Sequence, residues 1–110
     1  VVVAVLAGCA STSVTPVGNH LYSPLPSSYA VLVFSREGDV IQPFEVVAII
    51  SYTNPGKYQV LTLDDAVPKL KEKARSVGAN AIIIDESRPI KSGLISTGIA
   101  VTARAIVVKQ

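Results

Sequence analysis

The 110 residues leave room for one domain with one modest core. Hydrophobic residues make up 49% and charged residues 16%, a balance that excludes disorder for the body of the chain. The net charge of +2 comes from 10 basic and 8 acidic residues, and the basic ones gather only at Lys69, Lys71, Lys73 and Arg75, with Glu72 among them. That is the pattern of a solvated helix face, whereas nucleic acid binding uses a concentrated basic stripe with stacking aromatics. Trp is absent and the 4 Tyr and 2 Phe are scattered, so no nucleic acid partner is expected.

Val1 to Ala7 reads VVVAVLA, an uncharged apolar run about half the length of a membrane-crossing helix. It fits the end of a signal-peptide apolar region, which closes in small residues at the cleavage site. The first residue is Val1 and no basic leader precedes it, so residues 1–8 are read as a signal-peptide remnant. One cysteine cannot form an internal disulfide, which makes the surroundings of Cys9 decisive. Leu6-Ala7-Gly8-Cys9 resembles the lipobox of bacterial lipoproteins. The resemblance implies cleavage before Cys9, a diacylglycerol on its sulfur and acylation of the new amino group, so that Cys9 becomes the first residue of a lipid-anchored envelope protein. Two or three acyl chains, at about 0.8 kcal/mol per buried methylene, hold a protein stably. Ala10, where enteric-type lipoproteins retained at the inner membrane carry Asp, favours the outer membrane. The competing reading makes Val1 to Ala7 a strand and Cys9 a small core residue. Two things disfavour it: a polar, strand-poor stretch follows, and an aliphatic edge strand invites aggregation.

Residues 9–28 are read as the lipidated cysteine and a flexible tether. Ala10 to Ser28 is rich in Ser, Thr, Pro and Gly and free of charge, and Pro16, Pro24 and Pro26 favour extended backbone. Leu21 and Tyr22 are the sizeable apolar pair able to dock on the domain. His20 is the single histidine. A metal site wants several converging ligands and a catalytic histidine wants a nucleophile and an orienting partner, so it is read as an exposed linker residue.

Residues 29–110 form the domain. Tyr29 to Phe34 reads as a strand ending at the polar Arg36 to Asp39, and Phe44 to Tyr52 as a second, β-branched strand. Thr53-Asn54-Pro55-Gly56-Lys57 is a turn, and Tyr58 to Leu63 a short strand or lead-in. Asp64 to Val77 predicts a helix, capped by Asp64 and ended by a left-handed Gly78, with Asp65 on the positive end of its dipole and Pro68 in its first turn. Val67, Leu70, Ala74 and Val77 form its apolar stripe. Ala81 to Ile84 is a short central strand, Asp85 to Gly98 a long polar loop, and Ile99 to Lys109 the closing strand. Arg104 stands alone among apolar neighbours there, which places it facing solvent or at a sheet edge. The fold class is α+β: a small mixed four-stranded sheet in ββαββ order with one helix packed on one face. The second and third strands are parallel neighbours or near neighbours through a right-handed crossover. The other face has thin cover and needs the tether, the 85–98 loop or another chain over it.

Lys73-Ala74-Arg75, Gly78-Ala79-Asn80-Ala81 and the Ile run resemble the YbjQ-like "heavy-metal-binding" family and the RcsF-type stress-sensor lipoproteins of the outer membrane, over roughly Leu63 to Val108. RcsF-type domains carry disulfide cysteines that this domain lacks, which removes the residues for a redox mechanism. The metal label finds no ligand cluster to carry it.

No catalytic set is expected. Ser87, Ser92, Ser96 and Thr97 lack a histidine within the domain to activate them. Asp64 and Asp65 are explained by capping, and Asp85 and Glu86 by charge balance with Arg88. Neither metal nor cofactor is expected. The 85–98 loop, with Asp85, Glu86, Arg88 and Lys91 beside Ile90, Leu94 and Ile95, is the candidate binding surface, since long loops carry function more often than connection alone requires. The leading expectation is a non-enzymatic lipoprotein whose domain binds another envelope component or a second copy of itself. The alternative is a periplasmic small-molecule or metal-binding module, which needs a concave pocket with convergent polar groups.

Overall fold

The computed structural model describes residues 11–18, 22–55, 61–92 and 95–109, without the side chains of residues 91–97. The elements are β1 (Ser11–Pro16), β2 (Leu32–Phe34), a 3₁₀ turn at Glu37–Asp39, β3 (Phe44–Asn54), α1 (Leu63–Ser76), β4 (Ala81–Ser92) and β5 (Ile95–Val108). They build one mixed sheet in the order β1-β3-β5-β4-β2, with α1 on one face. The α+β class and the single helix are as expected, but the sheet has five strands.

The fifth strand comes from the stretch read as a tether. Ser11–Pro16 pairs antiparallel with β3, from Ser11 opposite Thr53 to Pro16 opposite Ala48. Thr12 and Val14 alternate with exposed Ser11, Ser13 and Thr15, and this period of two, with β-branched residues on the half-buried side, makes a strand out of linker-like composition. The folded unit therefore begins at or before Ser11 rather than at Tyr29. Described residues farther along the stretch also touch the domain. Tyr22 packs against the core and donates its hydroxyl to Glu45 Oε1 at 2.7 Å, and the Leu25 amide donates to the Arg75 carbonyl. Leu21, His20 and Cys9 lie outside the described residues.

The second correction concerns residues 85–98, which form the distal half of a long hairpin and not a loop. β4 and β5 pair antiparallel from Ala81 opposite Ile106 to Ser92 opposite Ile95. Irregularities fall between Ile84 and Glu86 and between Ile90 and Lys91, so apolar–polar alternation is broken twice, as β-bulges do. Pro89 is tolerated because β2 covers β4 only over Ala81 to Ile83. Beyond that point, among the described residues, β4 is an edge strand that needs no further donor.

β3 and β4 run parallel with β5 between them, antiparallel to both. That is the near-neighbour crossover expected of a strand-helix-strand unit. The helix starts one residue earlier than expected and its cap is Thr62, not Asp64. The Thr62 amide donates to Asp65 Oδ2 at 2.7 Å, as in a capping box. Its fully buried residues are Ala66, Leu70 and Ala74, with Leu63 and Val77 partly buried. Val67 is only half-buried, so the stripe is rotated towards Ala66 relative to the one the sequence suggested. Alanines at 66 and 74 let the helix approach the sheet closely.

At the helix end, Gly78 has φ of 77°. A Cβ there would overlap Tyr22 Cβ and lie 2.7 Å from the Ser23 carbonyl oxygen, so both backbone sign and space demand glycine. Asn80 then bridges strands. Its side chain accepts from the Val108 amide at 2.8 Å and donates to the Val108 carbonyl, while its backbone joins Leu32 and Ile106.

The main core lies between α1 and the sheet and includes Ile50, Tyr52, Leu70, Ile82, Val101, Ala103 and Ala105. A smaller cluster lies on the opposite face, where Phe34, Val40, Phe44 and Val46 cover Ala81, Ile83, Ile106 and Val108. The β2–β3 connection thus covers one end of the second face.

Candidate binding surface

The remainder of the second face is open, and register shows what it presents. Ser13, Ser51, Thr102 and Glu86 stand opposite one another across β1, β3, β5 and β4. The next row is Ser11, Thr53, Ala100 and Arg88, and the row on the other side is Thr15, Ile49, Arg104 and Ile83. Ile49 is 39% exposed, the sizeable apolar side chain in this field. The surface is a shallow array of hydroxyls with a charged border along β4. It offers many donors and acceptors.

Arg104 marks where the covered and open parts meet. It lies on the central strand and not at an edge, with its side chain 25% exposed. Its Nε and Nη2 donate to the two oxygens of Asp85 at 2.9–3.1 Å, and Nη1 donates to Glu37 Oε1 at 2.7 Å. The hydrogen bonds to Asp85 and then to Glu37 raise its pKa further above the ordinary arginine value, so it is a fixed cation. Asp85 sits at the β4 irregularity, and this turns its carboxylate to the guanidinium. The expected balance of Asp85 with Arg88 is therefore replaced by a bridge from β4 through β5 to the 3₁₀ turn. This is the bidentate geometry that fixes orientation. Asp85 is engaged in holding the fold, which leaves it a poor candidate for contacting a partner.

Of the other proposed site residues, Glu86 and Arg88 are exposed on β4 two positions apart, and no hydrogen bond or ion pair holds either one among the described residues. Lys91 and Ile95 are placed by backbone pairing near the hairpin end, Lys91 opposite Ser96 and Ile95 opposite Ser92, while Leu94 lies outside the described residues. The structure thus brings Glu86 and Arg88 onto one face and sets Lys91 and Ile95 beyond it.

On the helix side of the same hairpin, Leu61, Ser87, Arg88, Pro89 and Ile99 line an open cleft of about 190 Å³. That falls short of the roughly 300–1,000 Å³ of a typical small-molecule site. It has the size to receive one side chain of a partner. No group of three or more His, Cys, Asp or Glu suited to a metal occurs among the described residues, and none of their helices is long and apolar enough to cross a membrane. The hydroxyl rows were not anticipated, although Ser11, Ser13 and Thr15, and likewise Ser51 and Thr53, alternate visibly once the strands are known.

Comparison with protein-family profiles and with curated proteins gives no match. Among solved structures, the fold is similar to the crystal structure of the Francisella virulence factor FvfA. The TM-score is 0.62 at 13% identity, over 87% of this chain and 96% of that one. At that identity the likeness is one of fold.

Proposed function

We propose that this chain is a lipid-anchored protein of the bacterial cell envelope, held through Cys9 at the outer membrane, whose domain acts by binding an envelope protein and not by catalysis. The observation that carries the reading is the lipobox-like Leu6-Ala7-Gly8-Cys9 closing the apolar run Val1 to Ala7. With Ser11–Pro16 in a strand, the stretch after Cys9 no longer argues against an N-terminal strand, and the reading rests on that match and on the run it ends. The resemblance of Lys73 to Ala81 to RcsF-type domains supports an envelope setting. The binding role is supported by the open hydroxyl face, by Glu86 and Arg88 exposed at its border without an ion pair among the described residues, and by a cleft of side-chain size beside them. A small-molecule module would need a deeper cavity than this cleft provides.

The test is expression of the full chain and of Cys9→Ser in a bacterial host, with fractionation of both. Wild type is expected to sediment with membranes through an alkaline wash and the variant to be released. Equal behaviour of the two rejects the anchor. Affinity capture from crosslinked envelopes with a Glu86→Lys, Arg88→Glu double variant then addresses the surface, and partners retained by this charge reversal would place binding elsewhere.

A further inference from the structure

We infer that the outer edge of β2 is where two copies of this chain pair, strand against strand, about a two-fold axis at Leu32. This goes beyond the envelope-partner reading: it uses an edge that Glu86 and Arg88 do not share, and it holds with or without the lipid anchor.

β2 is the last strand of the sheet, and no described residue pairs with its outer side. Tyr29 to Ser35 reads YAVLVFS, without charge, Gly or Pro. Within it Leu32 is 55% exposed, Val33 41% and Tyr29 39%. Solvated edges are normally blunted by charge, proline or a bulge. The free part of β4 carries all three, in Glu86, Arg88, Pro89 and the irregularity at Asp85, and β1 closes in Pro16 behind exposed hydroxyls. The β2 edge has none of these devices. An apolar, β-prone run left open in this way is a template for another strand.

Register selects a second copy as the occupant. The Leu32 amide donates inward to the Asn80 carbonyl, so by alternation the backbone groups of Val31 and Val33 point away from β4. An antiparallel partner centred on Leu32 sets Val33 against Val31 of the second copy and Val31 against Val33 of the second copy, which closes four hydrogen bonds across the edge. Leu32 then faces its own counterpart as a non-hydrogen-bonded pair, with Cα atoms about 4.5 Å apart. Leu32 aligns with Ala81 of the smaller cluster, so both Leu32 side chains lie on the second face and each covers the other. Val33 aligns with Ile82 and meets Val31 of the second copy on the helix side. No charge is set against a like charge, since Arg36, the nearest along the strand, is held by Asp39 at 3.1 Å. A contact confined to one edge falls below the roughly 800 Å² per partner of a stable interface, so the dimer is a weak one that forms at high local concentration.

The test is sedimentation equilibrium of the full chain carrying Cys9→Ser, over a concentration series reaching the millimolar range. It is repeated with Leu32→Lys, with Leu32→Glu, with an equimolar mixture of the two, and with Ile41→Lys as the control. Leu32 and Ile41 are both exposed, so each variant keeps the fold, which circular dichroism checks. The expected result is a monomer–dimer equilibrium for the parent chain and for Ile41→Lys. Each Leu32 variant alone should associate about tenfold more weakly, because like charges stand directly opposite, and the mixture should recover, because opposite charges meet across the axis. A parent chain that stays monomeric overturns the pairing, as does association that the Leu32 variants leave unchanged. Loss in both variants without recovery in the mixture overturns the two-fold register. None of these outcomes bears on the anchor, since every form lacks Cys9.

Discussion

The same three central strands present one face to α1 and the other mostly to water, and the two faces are built by different means. Facing the helix, Ile50, Ile82, Ala103 and Ala105 are fully buried, as is Leu70 across from them on α1, and stability there comes from close packing of aliphatic side chains against small ones. On the other face, cover stops after Ile83 and Ile106. From there the sheet is held by its backbone ladder and the Arg104 bridge. The comparison teaches that alternation along a strand can hide a strand. Where the outer face is wet and lined by Ser and Thr, the segment looks like a linker.

The largest effects should come from the packed face. Leu70→Ala removes a fully buried side chain and is expected to cost about 2–5 kcal/mol in denaturant unfolding. A change below 1 kcal/mol would mean that the helix does not pack as described. Gly78→Ala should cost about 2–4 kcal/mol, since it combines a left-handed backbone with overlap on Tyr22 and Ser23. Deleting the chain up to Ser28 tests the tether against the strand. Loss of β1 and of the docked Tyr22 should lower stability by several kcal/mol, at about 0.5–1.5 kcal/mol for each ladder hydrogen bond. An unchanged melting curve would restore a free tether.

Smaller effects belong to the open face. Arg104→Met should cost about 1 kcal/mol, because Asp85 and Glu37 are both partly solvated and screened. Ser51→Ala should stay within about 0.5 kcal/mol, as surface changes away from special features do. The Tyr22 hydroxyl has its pKa raised above 10.0, chiefly by its hydrogen bond to Glu45. A raised folded pKa means stabilisation that is complete below the unfolded value and lost as pH rises through the folded one. An alkaline decline in stability is therefore expected above about pH 10, in part from this residue, and that part should vanish in Tyr22→Phe.

Much of the framework was legible before the structure. The helix announced itself by three- and four-residue spacing and by Gly78, and β3 and the second half of β5 by apolar runs rich in β-branched residues. What escaped notice has physical reasons. Val14 is the half-buried aliphatic residue of β1, and the three Ser and Thr beside it are exposed, so composition outweighed period. In the distal hairpin, two irregularities and Pro89 broke the alternation of β4 at places where, among the described residues, it has no outer neighbour. Arg104 looked peripheral because its neighbours in sequence are apolar. Its partners, Asp85 and Glu37, are 19 and 67 residues away, a distance that no local pattern reveals. The candidate site was half legible: Glu86 and Arg88 were identified as residues, but the face they border exists only once four strands are aligned.

The central claim, that the domain is carried on a lipidated Cys9, is tested most directly by intact and peptide mass spectrometry of the full chain produced in a bacterial host. The account predicts an N-terminus at Cys9 bearing acyl mass. An uncut chain with Cys9 as a free thiol would contradict it.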